Sequence, residues 1–158
     1  MQARIGFLVA AIAVLFSFDS FACGDSMYRV GKGASYRVYT APLPGSVLVY
    51  GASEGAKQLA EALAKSGHGV RLVANELELT TELSSGTYDV VIAPYSDHGT
   101  VEASADASGD VGTTYLPVAV TKEEAEVANA DYSKVMLADR DELKHYLKAI
   151  HRTLKSKT

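Results

Sequence analysis

Asp97 and His98 stand together just past the apolar run YDVVIAP, and the following stretch adds Glu102, Asp106 and Asp110 among glycines and serines. Carboxylate oxygens gathered on one segment are the donors that a hard cation such as calcium takes. Their spacing does not match an EF-hand loop, where alternate acids precede a glycine. Residues 96–114 are therefore expected to form a solvated acidic loop, with no metal and no cofactor. Asp97 and His98 remain the first choice for a ligand contact, because open α/β sheets bind ligands beyond the carboxyl ends of their strands. Ser53 and Glu54 follow the apolar run SVLVYG, and Thr121 follows LPVAV, so these three complete the candidate set. No nucleophile–base–acid set, paired-carboxylate motif or zinc signature is evident, and no catalytic residue is assigned.

The elements that must hold these residues are legible from Ser46 onward. SVLVYG (46–51), GVRLVA (69–74), YDVVIAP (88–94), YLPVAV (115–120) and KVMLA (134–138) read as five short strands. Between them, residues 53–67 carry Ala56, Leu59, Ala60, Leu63 and Ala64 on one helical face, with Ser53 as N-cap and Gly67 beyond the end. Residues 75–85 and 121–131 read as shorter helices, and a last helix runs from Asp139 to about Lys155. Strands alternating with helices imply βαβ units. The expected fold is a three-layer αβα domain with a parallel sheet of order 2-1-3-4-5.

Composition sets the compartment and the partners. Hydrophobic residues make up 47% of the 158, enough for a core. Residues 46–158 carry 11 Lys/Arg against 17 Asp/Glu, a net of −6, which disfavours nucleic-acid binding. Residues 1–22 open with Arg4, continue apolar from Ile5 to Phe18 and end in Ser20-Phe21-Ala22. The run is short for a membrane span and fits a secretory signal peptide. Export to the periplasm or cell envelope is expected.

Cys23 is the single cysteine and falls at the expected mature N-terminus. That place resembles the lipid-modified cysteine of bacterial lipoproteins, although Ser20 and Phe21 depart from the usual aliphatic and small residues before the cut. Lipidation, with a membrane tether, and plain cleavage both stand. Residues 23–45 interleave Arg29, Lys32 and Arg37 with Tyr28, Tyr36 and Tyr39. They read as a linker with a short edge strand, SYRVYT, or as a contact strip for an anionic surface.

Residues 46–155 resemble a bacterial response-regulator receiver domain, through SVLVYG, GTYDVVIAP, LPVAVT and a final helix opening DRDELKHYL. The resemblance implies an acidic pair after the first strand, a phosphoacceptor Asp ending the third, a Ser or Thr after the fourth and a Lys after the fifth. Here Gly51-Ala52, Pro94 and Leu137-Ala138 occupy three of those places, and Thr121 alone matches. Without the carboxylates there is neither an acyl-phosphate nor a magnesium site. The chain is thus expected to be a pseudo-receiver. A shorter stretch, VLVYGASEGAKQLAEALAKSGHGVRLVA, resembles the cofactor turn of short-chain dehydrogenases. Gly51 and Gly55 match there, but Lys57 replaces the third glycine and no Tyr-x-x-x-Lys pair follows.

The function expected is a non-catalytic exported binding module, contacting an envelope protein or a small ligand. Two alternatives stay open: a diverged nucleotide- or dinucleotide-binding enzyme using the Gly51–Gly55 turn, and a structural envelope lipoprotein.

Overall fold

The computed structural model describes residues 40–109 and 112–158. The expectations placed on residues 1–39, including the leader, Cys23 and the basic–aromatic strip, and the expectation placed on Asp110 lie outside the described residues. Five strands, β1 (Ser46–Tyr50), β2 (Gly69–Val73), β3 (Val90–Pro94), β4 (Thr114–Ala119) and β5 (Met136–Leu137), form one parallel sheet in the order β2-β1-β3-β4-β5. Five helices connect or follow them: α1 (Glu54–Lys65), α2 (Glu76–Ser85), α3 (His98–Ser108), α4 (Lys122–Asp131) and α5 (Leu143–Lys157). The expected flavodoxin- and receiver-like architecture is the observed one.

Burial explains why the central strands read as continuous apolar runs. Val47, Leu48 and Val49 of β1 and every residue of β3 are buried, because helices cover both faces. Val47, Val49, Val90 and Ile92 face α1 and α5 on one side. Leu48, Val91 and Ala93 face α2 and α3 on the other, and Ala119 and Leu137 face α4. β2 lies at an edge, and only its last residue, Val73, is buried.

Three helices start on side-chain caps. Ser53 Oγ accepts from Ala56 N at 3.1 Å, Asn75 Oδ1 from Glu78 N at 3.0 Å and Thr121 Oγ1 from Glu124 N at 3.1 Å. Glu78 and Glu124 reach back to the N–H groups of Ala74 and Val120, so two donors are satisfied at each of those starts. α5 starts later than expected, at Leu143, because residues 138–140 form a turn, with the N–H groups of Arg140 and Asp141 bonded back to Leu137 of β5.

The larger correction concerns residues 96–114. The expected acidic loop is instead a three-residue 3-10 turn (Tyr95–Asp97) followed by the eleven-residue α3, closed by Gly109 at φ 68°. α3 escaped the apolar pattern because its contact with α2 is made by few and small side chains. Val101 and Ser104 are buried, and Ser104 Oγ lies 3.1 Å from Thr80 Oγ1. Tight packing of small residues leaves no leucine stripe to read.

The segment before β1 is also tied down. Ala41 is buried and donates to Ser66 O at 2.7 Å, while Gly45 N donates to His68 Nδ1 at 3.2 Å. A Cβ on Gly45 would stand 2.7 Å from a terminal methyl of Leu154, so a side chain there would have to push the Leu154 side chain of α5 aside.

Candidate functional site

β1 and β3 are hydrogen-bonded neighbours, so the turn after β1 and the segment after β3 meet at the carboxyl edge of the sheet. Gly51 makes that turn at φ 144°, a backbone conformation that favours glycine, and its N–H donates to Val73 O at 2.9 Å. The acidic pair that a receiver would carry here has no counterpart in Gly51-Ala52, and a Cβ at Gly51 would strain the turn.

Four of the five candidate side chains are engaged locally. Ser53 and Thr121 are the N-caps of α1 and α4. Glu54 pairs with Lys57 at 3.6 Å across the first turn of α1. His98 Nδ1 lies 2.8 Å from Tyr95 O, and its ring stacks on Tyr95 at 4.8 Å between centroids. Asp97 differs: it precedes α3 without making a side-chain capping bond. Burial pushes its carboxyl above the ordinary range. Burial and the charges of Asp97 and Glu76 push the Tyr50 hydroxyl up in turn, which places Tyr50 and Asp97 in one electrostatic neighbourhood. Among the described residues there is no group of three side chains able to hold a metal ion.

Where a receiver would present its phosphoacceptor, the buried Pro94 ends β3. Its carbonyl accepts the Tyr115 hydroxyl at 2.8 Å. Tyr132 meets Tyr115 edge-on at 5.1 Å and Tyr95 edge-on at 6.1 Å, and its hydroxyl donates to Glu102. Burial, joined by neighbouring acids, drives the Tyr115 and Tyr132 hydroxyls well above their ordinary range, so both stay protonated donors. Three tyrosines from β4, the β3 exit and the end of α4 therefore cap this part of the edge. Sequence reasoning missed the cap. Tyr95, Tyr115 and Tyr132 are far apart in the chain, and only the sheet order brings them together.

A second feature was also missed. A groove of about 610 Å³ runs between α4 and the end of β5, floored by Ala125, Val135 and Leu137 and rimmed by Lys122, Glu126 and Arg140. It adjoins the carboxyl edge through Lys122, the residue after the Thr121 cap.

No protein-family model matches the chain, and none of the curated proteins matches it in sequence. A solved structure, a CpaE2 pilus assembly protein from Sinorhizobium meliloti, matches with a TM-score of 0.51 at 14% identity. The match covers 68% of this chain and 98% of that one. What is shared is the fold. The identity is too low to carry an activity or a partner across, so the arrangement of the edge has to speak for the function.

Proposed function

We propose that this chain is an exported, non-catalytic interaction module: a pseudo-receiver whose former phosphotransfer edge has become a contact surface. The observation that carries the reading is Pro94, whose carbonyl is held by Tyr115 in place of a phosphorylatable carboxylate. Thr121, the single matching position, spends its oxygen on the α4 cap. Asp97 and the Lys122–Arg140 groove supply the recognition groups, and an envelope protein or a small ligand is the partner. The apolar composition of residues 1–22 supports export, and Cys23 is the candidate tether.

Photo-crosslinkers placed singly at the exposed residues Ser96 and Lys122, and at Glu61 on α1 as a remote control, test the reading in the native envelope. A discrete adduct is expected from Ser96 or Lys122 and not from Glu61. Adducts from neither edge position, or nucleoside triphosphate hydrolysis by the purified chain, would contradict it.

A further inference from the structure

α5 is fifteen residues long and contains no acid, although the domain as a whole is acidic. Lys144, Lys148, Arg152 and Lys155 are exposed in sequence along one of its sides. Lys144 pairs with Glu142 at 3.3 Å, whereas none of Lys148, Arg152 and Lys155 has an ion pair within 4 Å among the described residues. A cation in the last turn offsets the helix dipole, which accounts for Lys155. It does not account for Lys134, which comes from the loop before β5 and stands beside Arg152 in the same cleft.

That cleft has a volume of about 250 Å³, and its lining is polar around one small residue, Ala149. Lys134 and Arg152 supply two positive charges. Ser133 and Thr153 supply hydroxyls, Ser156 adds a third that donates to the Thr153 carbonyl at 2.8 Å, and among the described residues no acid lines the cleft. Two cations with hydroxyl donors beside them suit the oxygens of a phosphoryl group.

We propose that this cleft holds the phosphate of an anionic phospholipid, with Lys148 and Lys155 flanking it against the bilayer surface. A membrane suits the charge layout better than a long polyanion does. A flat bilayer meets one face, while a polymer wrapping the domain would meet the acids of α2 and α4. This surface is distinct from the carboxyl edge, so partner contact and lipid contact can succeed or fail separately.

The test is co-sedimentation of the full chain with vesicles of phosphatidylcholine alone or mixed equally with phosphatidylglycerol. The readout is the preference for anionic over neutral vesicles, because the apolar run at residues 5–18 can bind either kind. Each cation near such a surface is worth roughly fivefold in affinity, so Lys134→Gln/Arg152→Gln should cut the preference by roughly 25-fold. Lys57→Gln/Lys65→Gln removes the same charge from exposed positions on α1 and should leave the preference within about threefold. Equal losses in both pairs, or no preference in the parent, would overturn the proposal. So would tight capture of inorganic phosphate, seen by shifts of the Ser133 and Thr153 amides, without vesicle preference, since the ligand would then be soluble phosphate.

Discussion

The Asp141 carboxylate accepts the backbone N–H of Leu137 at 2.8 Å and so closes the outer side of β5. Ala138 N bonds to Ala119 O of β4, which turns the N–H and C=O of Leu137 outward. The N–H groups of Arg140 and Asp141 then satisfy the Leu137 carbonyl at 3.1 and 2.8 Å. An edge strand with its outward groups occupied cannot pair with another chain.

Asp141 is only 4% exposed, so its loss would leave a buried donor without a partner. Asp141→Ala should cost about 1–3 kcal/mol of stability, read as a lower urea midpoint. Asp141→Asn keeps an acceptor oxygen and should cost less. A change below about 0.5 kcal/mol in the alanine variant would mean the edge is closed by other means.

Two groups give the stability a sloped pH dependence. Burial pushes the His68 imidazole down, outweighing the Gly45 contact and the Asp89 charge. The unfolded chain then takes up a proton first, and stability should fall as pH drops below about 6.5 towards the folded value. For Asp141, burial acts upward, but the bonds from Arg140 and the Leu137 N–H and the charges of Arg140 and His145 outweigh it. The contribution of Asp141 is present above about 3.9 and is lost as pH falls through its lower folded value. Melting midpoints across this range should show both declines, and His68→Gln should remove only the first. A flat profile between about pH 7 and 5 would refute the assignment to His68.

The processing expectation rests on the apolar run followed by Ser20-Phe21-Ala22 and Cys23. Intact-mass analysis of protein from the native envelope should find a chain beginning at Cys23, with or without acyl groups. Recovery of a chain retaining Met1–Ala22 would rule out cleavage.

The turn Gly51–Gly55 should not hold a dinucleotide. Glu54 adds negative charge at the start of α1, and Lys57, paired with it at 3.6 Å, replaces the glycine that would allow close approach. A ligand at a hundred times its dissociation constant would stabilise the fold by about 2.7 kcal/mol. Melting with NAD, NADP, ATP or FMN is expected to show no rise. A reproducible rise that disappears in a folded Gly55→Trp variant would instead favour the enzyme reading.

The fold was legible where its physics is local. Ser53 caps the helix that its position promised, and the apolar runs of β1 and β3 are the buried centre of the sheet. α3 was not legible, because Ser104 and Ala105 pack by being small and offer no apolar period. The candidate site was legible as a place more than as a set of roles. Asp97 does sit at the carboxyl edge, yet Ser53 and Thr121 act there as caps, a use that the same residue types serve equally well. The tyrosine cap and the Lys134–Arg152 cleft each join side chains from separate elements, which no spacing rule connects.

An interaction module needs an edge around Pro94 that carries no phosphotransfer. Incubating the purified chain with acetyl phosphate or phosphoramidate and magnesium, then measuring hydroxylamine-labile phosphate by intact mass, puts this to the test. No incorporation is expected, because Pro94 offers no carboxylate and Gly51-Ala52 no magnesium ligands. Stoichiometric phosphate on the folded chain would contradict it.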